Sequence, residues 1–139
     1  MHYKMRDQIR FKIGKEEKNI QEKWIEIPEG TEHIQMMIEM PEEFQYMAFL
    51  FLEDPKKEIR FQKLLGYGQQ NPGIGKSTKD TTIGGVPGEI YPGTWKIGIG
   101  IFTEYVAQKL GEQTGEIVLT VSDRKDASLA EVELRSIQM

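Results

Sequence analysis

Apolar and polar residues alternate in several short runs along this chain. Ile9, Phe11 and Ile13 alternate with Arg10 and Lys12, and Gly14 ends the run. Trp24 to Ile27 is a short apolar-rich run closed by Pro28-Glu29-Gly30. Ile34, Met36, Ile38 and Met40 share one face, with Gln35, Met37 and Glu39 on the other, up to Pro41. The longest run follows the turn signals Val86-Pro87-Gly88 and Tyr91-Pro92-Gly93. There Trp95, Ile97, Ile99 and Ile101 fall on one face, and Thr94, Lys96, Gly98 and Gly100 on the other. Ile117, Leu119 and Val121 alternate again. A period of two residues is the signature of a strand with one face in a core.

Other stretches are less regular. Tyr46 to Leu52 is apolar throughout, which fits a central strand covered on both faces or a buried helix segment. Its shortness, its aromatics and the flanking Pro41 and Pro55 favour the strand. Ile59 and Phe61 mark a weaker strand, and Val132, Leu134 and Ile137 a last one, although 128–135 also reads as a helix end. Lys15 to Gln21 reads as a turn, and Tyr105, Val106 and Leu110 as one helical turn between strands. Residues 64–85 hold six glycines and Pro72, which predicts a long surface loop, with room for a short strand at Thr81 to Ile83. The sum is about eight or nine strands at intervals of roughly 8–12 residues, with no long amphipathic helix. The expected fold is all-β: one domain over 1–139, an antiparallel β-sandwich of jelly-roll or immunoglobulin-like type.

Composition narrows the function classes. A net charge of −4 disfavours a nucleic-acid binder, which needs a basic face to displace phosphate counterions. Lys4, Arg6, Arg10 and Lys12 read instead as charges that guard a strand edge. No run approaches the length of a membrane span, and 1–14 lacks the apolar core of a signal peptide. With no cysteine, disulfides and thiolate chemistry are excluded, and a cytoplasmic location is expected. Edge strands of a sandwich can pair across a two-fold axis, so a homodimer stays open.

Three groups of residues resemble one known module. They are Trp24-Ile25-Glu26-Ile27-Pro28-Glu29-Gly30, Leu50-Phe51-Leu52-Glu53-Asp54-Pro55, and the glycine-rich stretch from Gly66 to Pro92-Gly93-Thr94-Trp95. Together they are similar to the N-terminal β-sandwich module that precedes the metallohydrolase domain in PHP-type phosphoesterases of the CehA/McbA group. The resemblance spans Phe11 to Val121. It departs at Gly66-Tyr67-Gly68-Gln69, where the family carries a Gly-Trp-Ser-Gly-like run, and at Lys56-Lys57, where a glycine is usual after Asp-Pro. A PHP site also needs a histidine–carboxylate cluster, and this chain has only His2 and His33. The resemblance therefore implies the accessory fold without phosphoesterase activity, and a protein partner such as a separately encoded hydrolase. A weaker resemblance is to the pre-peptidase C-terminal β-sandwich domains of secreted proteases.

The candidate chemistry is sparse. Gly73-Ile74-Gly75-Lys76-Ser77-Thr78 suggests a P-loop, but Gln70 stands where the first glycine is required and no helix former follows. His33, beside Glu32, lacks companions in sequence for a metal site, and no cofactor is expected. Glu16-Glu17 and Glu42-Glu43 are adjacent, so in extended chain each pair diverges and offers no acid–base pair across a cleft. No Gly-x-Ser-x-Gly elbow is present. Tyr67, Tyr91, Trp24 and Trp95 could stack sugar rings. Trp95 shares its face with Ile97 and Ile99 and reads as core, which leaves Tyr67 and Tyr91 as the ligand-binding candidates. Met36, Met37, Met40 and Met47 read as core filler, with Met37, on the face opposite Met36, either packing against a second sheet or joining an exposed interaction patch. Two functions follow: a non-catalytic interaction module, or a small-ligand or carbohydrate-binding module.

Overall fold

A computed structural model describes residues 5–66 and 68–124. The chain forms nine strands among the described residues: β1 (Arg6–Ile13), β2 (Ile20–Ile27), β3 (His33–Met40), β4 (Ala48–Glu53), β5 (Ile59–Leu64), β6 (Gly68–Gln70), β7 (Gly73–Gly75), β8 (Gly93–Ile101) and β9 (Gly115–Ser122). One helix, α1 (Thr103–Leu110), links β8 to β9. The strands make two sheets, ordered β1-β9-β3-β6 and β2-β8-β4-β5, with β7 also paired to β3. Every strand pairing is antiparallel. The expected all-β sandwich is thus observed.

The alternating runs turn one face of each sheet into a shared core. Phe11 and Ile13 of β1, Ile34, Met36, Ile38 and Met40 of β3, and Ile117, Leu119 and Val121 of β9 are buried on the first sheet. Ile25 and Ile27 of β2, Leu50 and Leu52 of β4, and Trp95, Ile97, Ile99 and Ile101 of β8 answer them on the second. Burying a side chain of this size contributes about 1.5–3 kcal/mol, so these positions fix the register. Of the apolar run at Tyr46–Leu52, Ala48 onward is a central strand, with Tyr46 and Met47 in the turn before it, and its outward Phe49 and Phe51 are half-buried rather than covered.

Three expectations are corrected. Residues 64–85 are not a free surface loop, because β6 and β7 add to the edge of β3 and Pro72, Gly73, Ile74 and Gly75 are buried. Glycine suits this place for its lack of bulk: a Cβ on Gly73 would lie 2.8 Å from the Gln35 side chain and 2.9 Å from the His33 ring. Thr81 to Ile83 is not a strand. Instead its hydroxyls cover the free side of β7, with the amides of Gly75 and Gly73 donating to Thr81 Oγ1 (3.0 Å) and Thr82 Oγ1 (3.2 Å). The single helical turn at Tyr105 is an eight-residue helix that stops at Gly111. The strand or helix end expected around Val132 to Ile137 lies outside the described residues.

Candidate functional site

Two places gather polar or exposed groups beyond what the core requires. The first is buried. Between β4 and β5 the register slips, so that Leu52 faces Phe61 while Glu53 faces Ile59. Arg60 is the extra residue of this bulge, and it turns inward rather than out. Its Nη1 stands 3.4 Å from Asp54 Oδ2 and donates to the Glu89 carbonyl at 2.7 Å, while Nε donates to the Val86 carbonyl at 3.1 Å. Asp54 Oδ1 accepts from the amides of Lys56 (2.8 Å) and Glu58 (3.0 Å). The guanidinium lies 5.4 Å from the Trp95 ring and 5.9 Å from the Tyr91 ring. Gly88, at φ +151°, lets the Pro-Gly turn close over Arg60, where a Cβ would come to 3.4 Å from Nη2. This knot ties the 86–91 turn to the second sheet.

The expected stacking residues meet that knot. Tyr91 is half-buried, with Lys56 Nζ 4.2 Å from its ring centroid, so an intramolecular cation already sits on it. Tyr67 lies outside the described residues. Trp95 is fully buried and donates from Nε1 to the Tyr91 carbonyl at 2.7 Å, which makes it core as expected. The structure therefore does not present Tyr91 as an open platform. The P-loop candidate is the strand β7 followed by a 3-10 turn at Thr78–Asp80, with no helix to hold a phosphate. His33 is half-buried, and its Nε2 lies 2.9 Å from Gln35 Oε1, whose own amide donates to the Asn71 and Pro72 carbonyls. Among the described residues no three His, Asp or Glu side chains group in a way that could hold a metal, and no helix is long and apolar enough to cross a membrane. His2 lies outside the described residues.

The second place is the outer face of the β2-β8-β4-β5 sheet, which the alternation had left unassigned. Registered pairing sets its residues in rows across strands about 4.8 Å apart. One row is Ile20, Gly100, Phe49, Leu64; the next is Glu22, Gly98, Phe51, Gln62; the third is Trp24, Lys96, Glu53, Ile59. Ile20 and Trp24 are each 61% exposed, far above the core residues behind them. Lys96 Nζ bridges Glu22 (2.9 Å) and Glu53 (3.4 Å), and the Glu22 contact holds its ammonium above the ordinary lysine value. The two glycines differ. The Phe51 ring covers Gly98, where a Cβ would fall 1.9 Å from its Cζ. Gly100 is uncovered, since a Cβ there would meet nothing nearer than the Phe49 carbonyl at 4.0 Å.

Over Gly100 lies an open groove of about 660 Å³. Ile20 and Asn19 form one wall, Phe102 just before α1 and Tyr105 in its first turn the other, with Thr103 and Gln108 at the lip. Asn19 Oδ1 accepts from the Thr103 hydroxyl, and the Ile101 amide donates to the Asn19 carbonyl at 2.6 Å, so the walls are tied together. Phe102 and Tyr105 are 49% and 42% exposed. The sequence reading passed over this groove, although two glycines on one face of a strand signal a close approach or an open floor.

Comparison with known proteins adds little. No family model matches the chain, and no curated protein matches it. Among solved structures it is similar to the CspB protease of Clostridium perfringens, at 14% identity and a TM-score of 0.47, over 85% of this chain and 26% of that one. The chain spans about a quarter of that protein's length (26%), and a likeness of this degree carries no functional argument.

Proposed function

We propose that the chain is a non-catalytic β-sandwich binding module whose working surface is the outer face of the β2-β8-β4-β5 sheet. The observation that supports this is the exposure of Ile20, Phe102 and Tyr105 around a glycine-floored groove at one end of that face, with the equally exposed Trp24 farther along β2 on the same face. Large apolar side chains gathered on one face of a folded domain mark an interaction site. The resemblance of the Pro-Glu-Gly and twin Pro-Gly turns to the CehA/McbA module favours a PHP-type phosphoesterase as the partner. Affinity purification of the tagged chain tests it: a hydrolase retained by wild type and lost with Trp24→Ala supports the reading, and retention unaffected by substitutions anywhere on the face removes it. A second reading, a carbohydrate-binding module, moves from Tyr67 and Tyr91 to the groove, because there aromatic walls are open and polar groups line the lip.

A further inference from the structure

We infer that the groove over Gly100 is a binding site for a neutral saccharide chain. This rests on the second functional reading above and states the ligand's chemistry. A sugar ring offers an apolar face of C–H bonds and a rim of hydroxyls. It is held by an aromatic wall together with uncharged donors and acceptors. The groove supplies both: Phe102 and Tyr105 on one wall, and Asn19, Thr103 and Gln108 around the lip. Among the described residues Glu104 is the one carboxylate on the lining, and Lys109 Nζ stands 5.7 Å from the Tyr105 ring, farther out than the lysine 4.2 Å from Tyr91. With one charge of each sign beside it, the groove gives an ionic ligand no net attraction, whereas a neutral ligand needs none. The Asn19–Thr103 hydrogen bond and the anchoring of Asn19 to Ile101 set the wall in place before a ligand arrives, which lowers the cost of binding. Trp24, four residues along β2 from Ile20 and on the same face, would extend the platform by about 13 Å beyond the groove. A ligand that reaches both is a linear chain of several rings rather than a monosaccharide.

The test uses the full chain, isotope-labelled, titrated with cello-, xylo-, malto- and N-acetylchito-oligosaccharides and followed by amide chemical shifts. One of these series should give saturable shifts at Gly100, Thr103 and Tyr105. Gly100→Val fills the floor and should weaken binding by roughly tenfold or more, and Tyr105→Ala should do the same by removing a wall. Tyr46→Ala, at a 60% exposed tyrosine outside the groove, should bind as wild type does. Gly100→Val should fold, since its Cβ comes no nearer to any atom than 4.0 Å from the Phe49 carbonyl; Tyr105→Ala alters only an exposed helix residue and reads the site independently. The inference is overturned if none of the four series shifts these amides, if shifts persist unchanged in both groove variants, or if the groove takes up apolar peptides and no saccharide. A protein partner captured through the same face with no saccharide bound would overturn this inference while leaving the binding-module reading intact.

Discussion

Arg60 shows how one side chain can hold a fold together without taking part in its alternation. Its side chain is only 4% exposed, and Asp54 beside it is fully covered. Removing one member of a buried ion pair leaves the other uncompensated, at a cost of about 3–5 kcal/mol. Arg60→Met is therefore expected to lower the urea midpoint by that equivalent with an unchanged slope, and Arg60→Met with Asp54→Asn to lose less than Arg60→Met alone. Lys96 behaves differently because it is at the surface. Its hydrogen bond to Glu22 raises its pKa above the ordinary lysine value of 10.5, so folding favours the protonated form. That contribution is complete below pH 10.5 and is lost as pH rises through the higher folded value. Lys96→Met should thus show a shallower decline of stability on the alkaline side of 10.5 than wild type, read from unfolding midpoints on either side of that pH. Lys15, raised by its hydrogen bond to Glu112, adds to the same decline in both proteins.

At the scale of the element, β8 carries both core and site. Its inward Trp95, Ile97, Ile99 and Ile101 are buried, and its outward Gly98 and Gly100 decide what the other face can hold. Gly98→Ala should drive the Phe51 ring off its seat and destabilise the domain by about 1–3 kcal/mol. A double-mutant cycle with Phe51→Ala should show strong coupling, because the same contact is lost twice; additive effects would mean that the ring does not rest on the glycine. The strands with clean alternation, β1, β3, β8 and β9, were legible because burial on one face imposes a period of two. The segment 64–85 was not. Glycine and proline read as loop, yet here small residues let β7 approach His33 and Gln35. Arg60 was hidden for a related reason: a bulge inverts the parity of β5, and nothing local in Ile59-Arg60-Phe61 announces it. The groove was hidden because its walls come from the start of β2 and the start of α1, which are distant in sequence and meet through the pairing of Ile20 with Gly100 and the bonds of Asn19 to Ile101 and Thr103.

For the whole molecule, both edges of the β2-β8-β4-β5 sheet limit self-association. Val86 and Gly84 bond back to β5 through Arg60 and Gln62, which covers that edge. The β2 edge is longer and is guarded by charge. Pairing of β2 with a second copy about a two-fold normal to the sheet sets Lys23 against Lys23 in one register and Glu22 against Glu26 in the next. Lys23 itself points to the inner face, 5.6 Å from the Phe11 ring. Lys23→Val should therefore promote dimers in sedimentation velocity while wild type stays monomeric through this edge; a wild-type dimer formed along β2 would contradict the argument. The order β1-β9-β3 has one more consequence. The earliest described strand and the third are joined only through the latest one, so half the sandwich lacks its middle until Ser122 has been made. On a ribosome, Phe11 and Met36 must wait with their apolar faces uncovered while the rest of the polypeptide emerges. Nascent chains halted before Gly115 should accordingly be captured by chaperones, and those released beyond Ser122 should escape them.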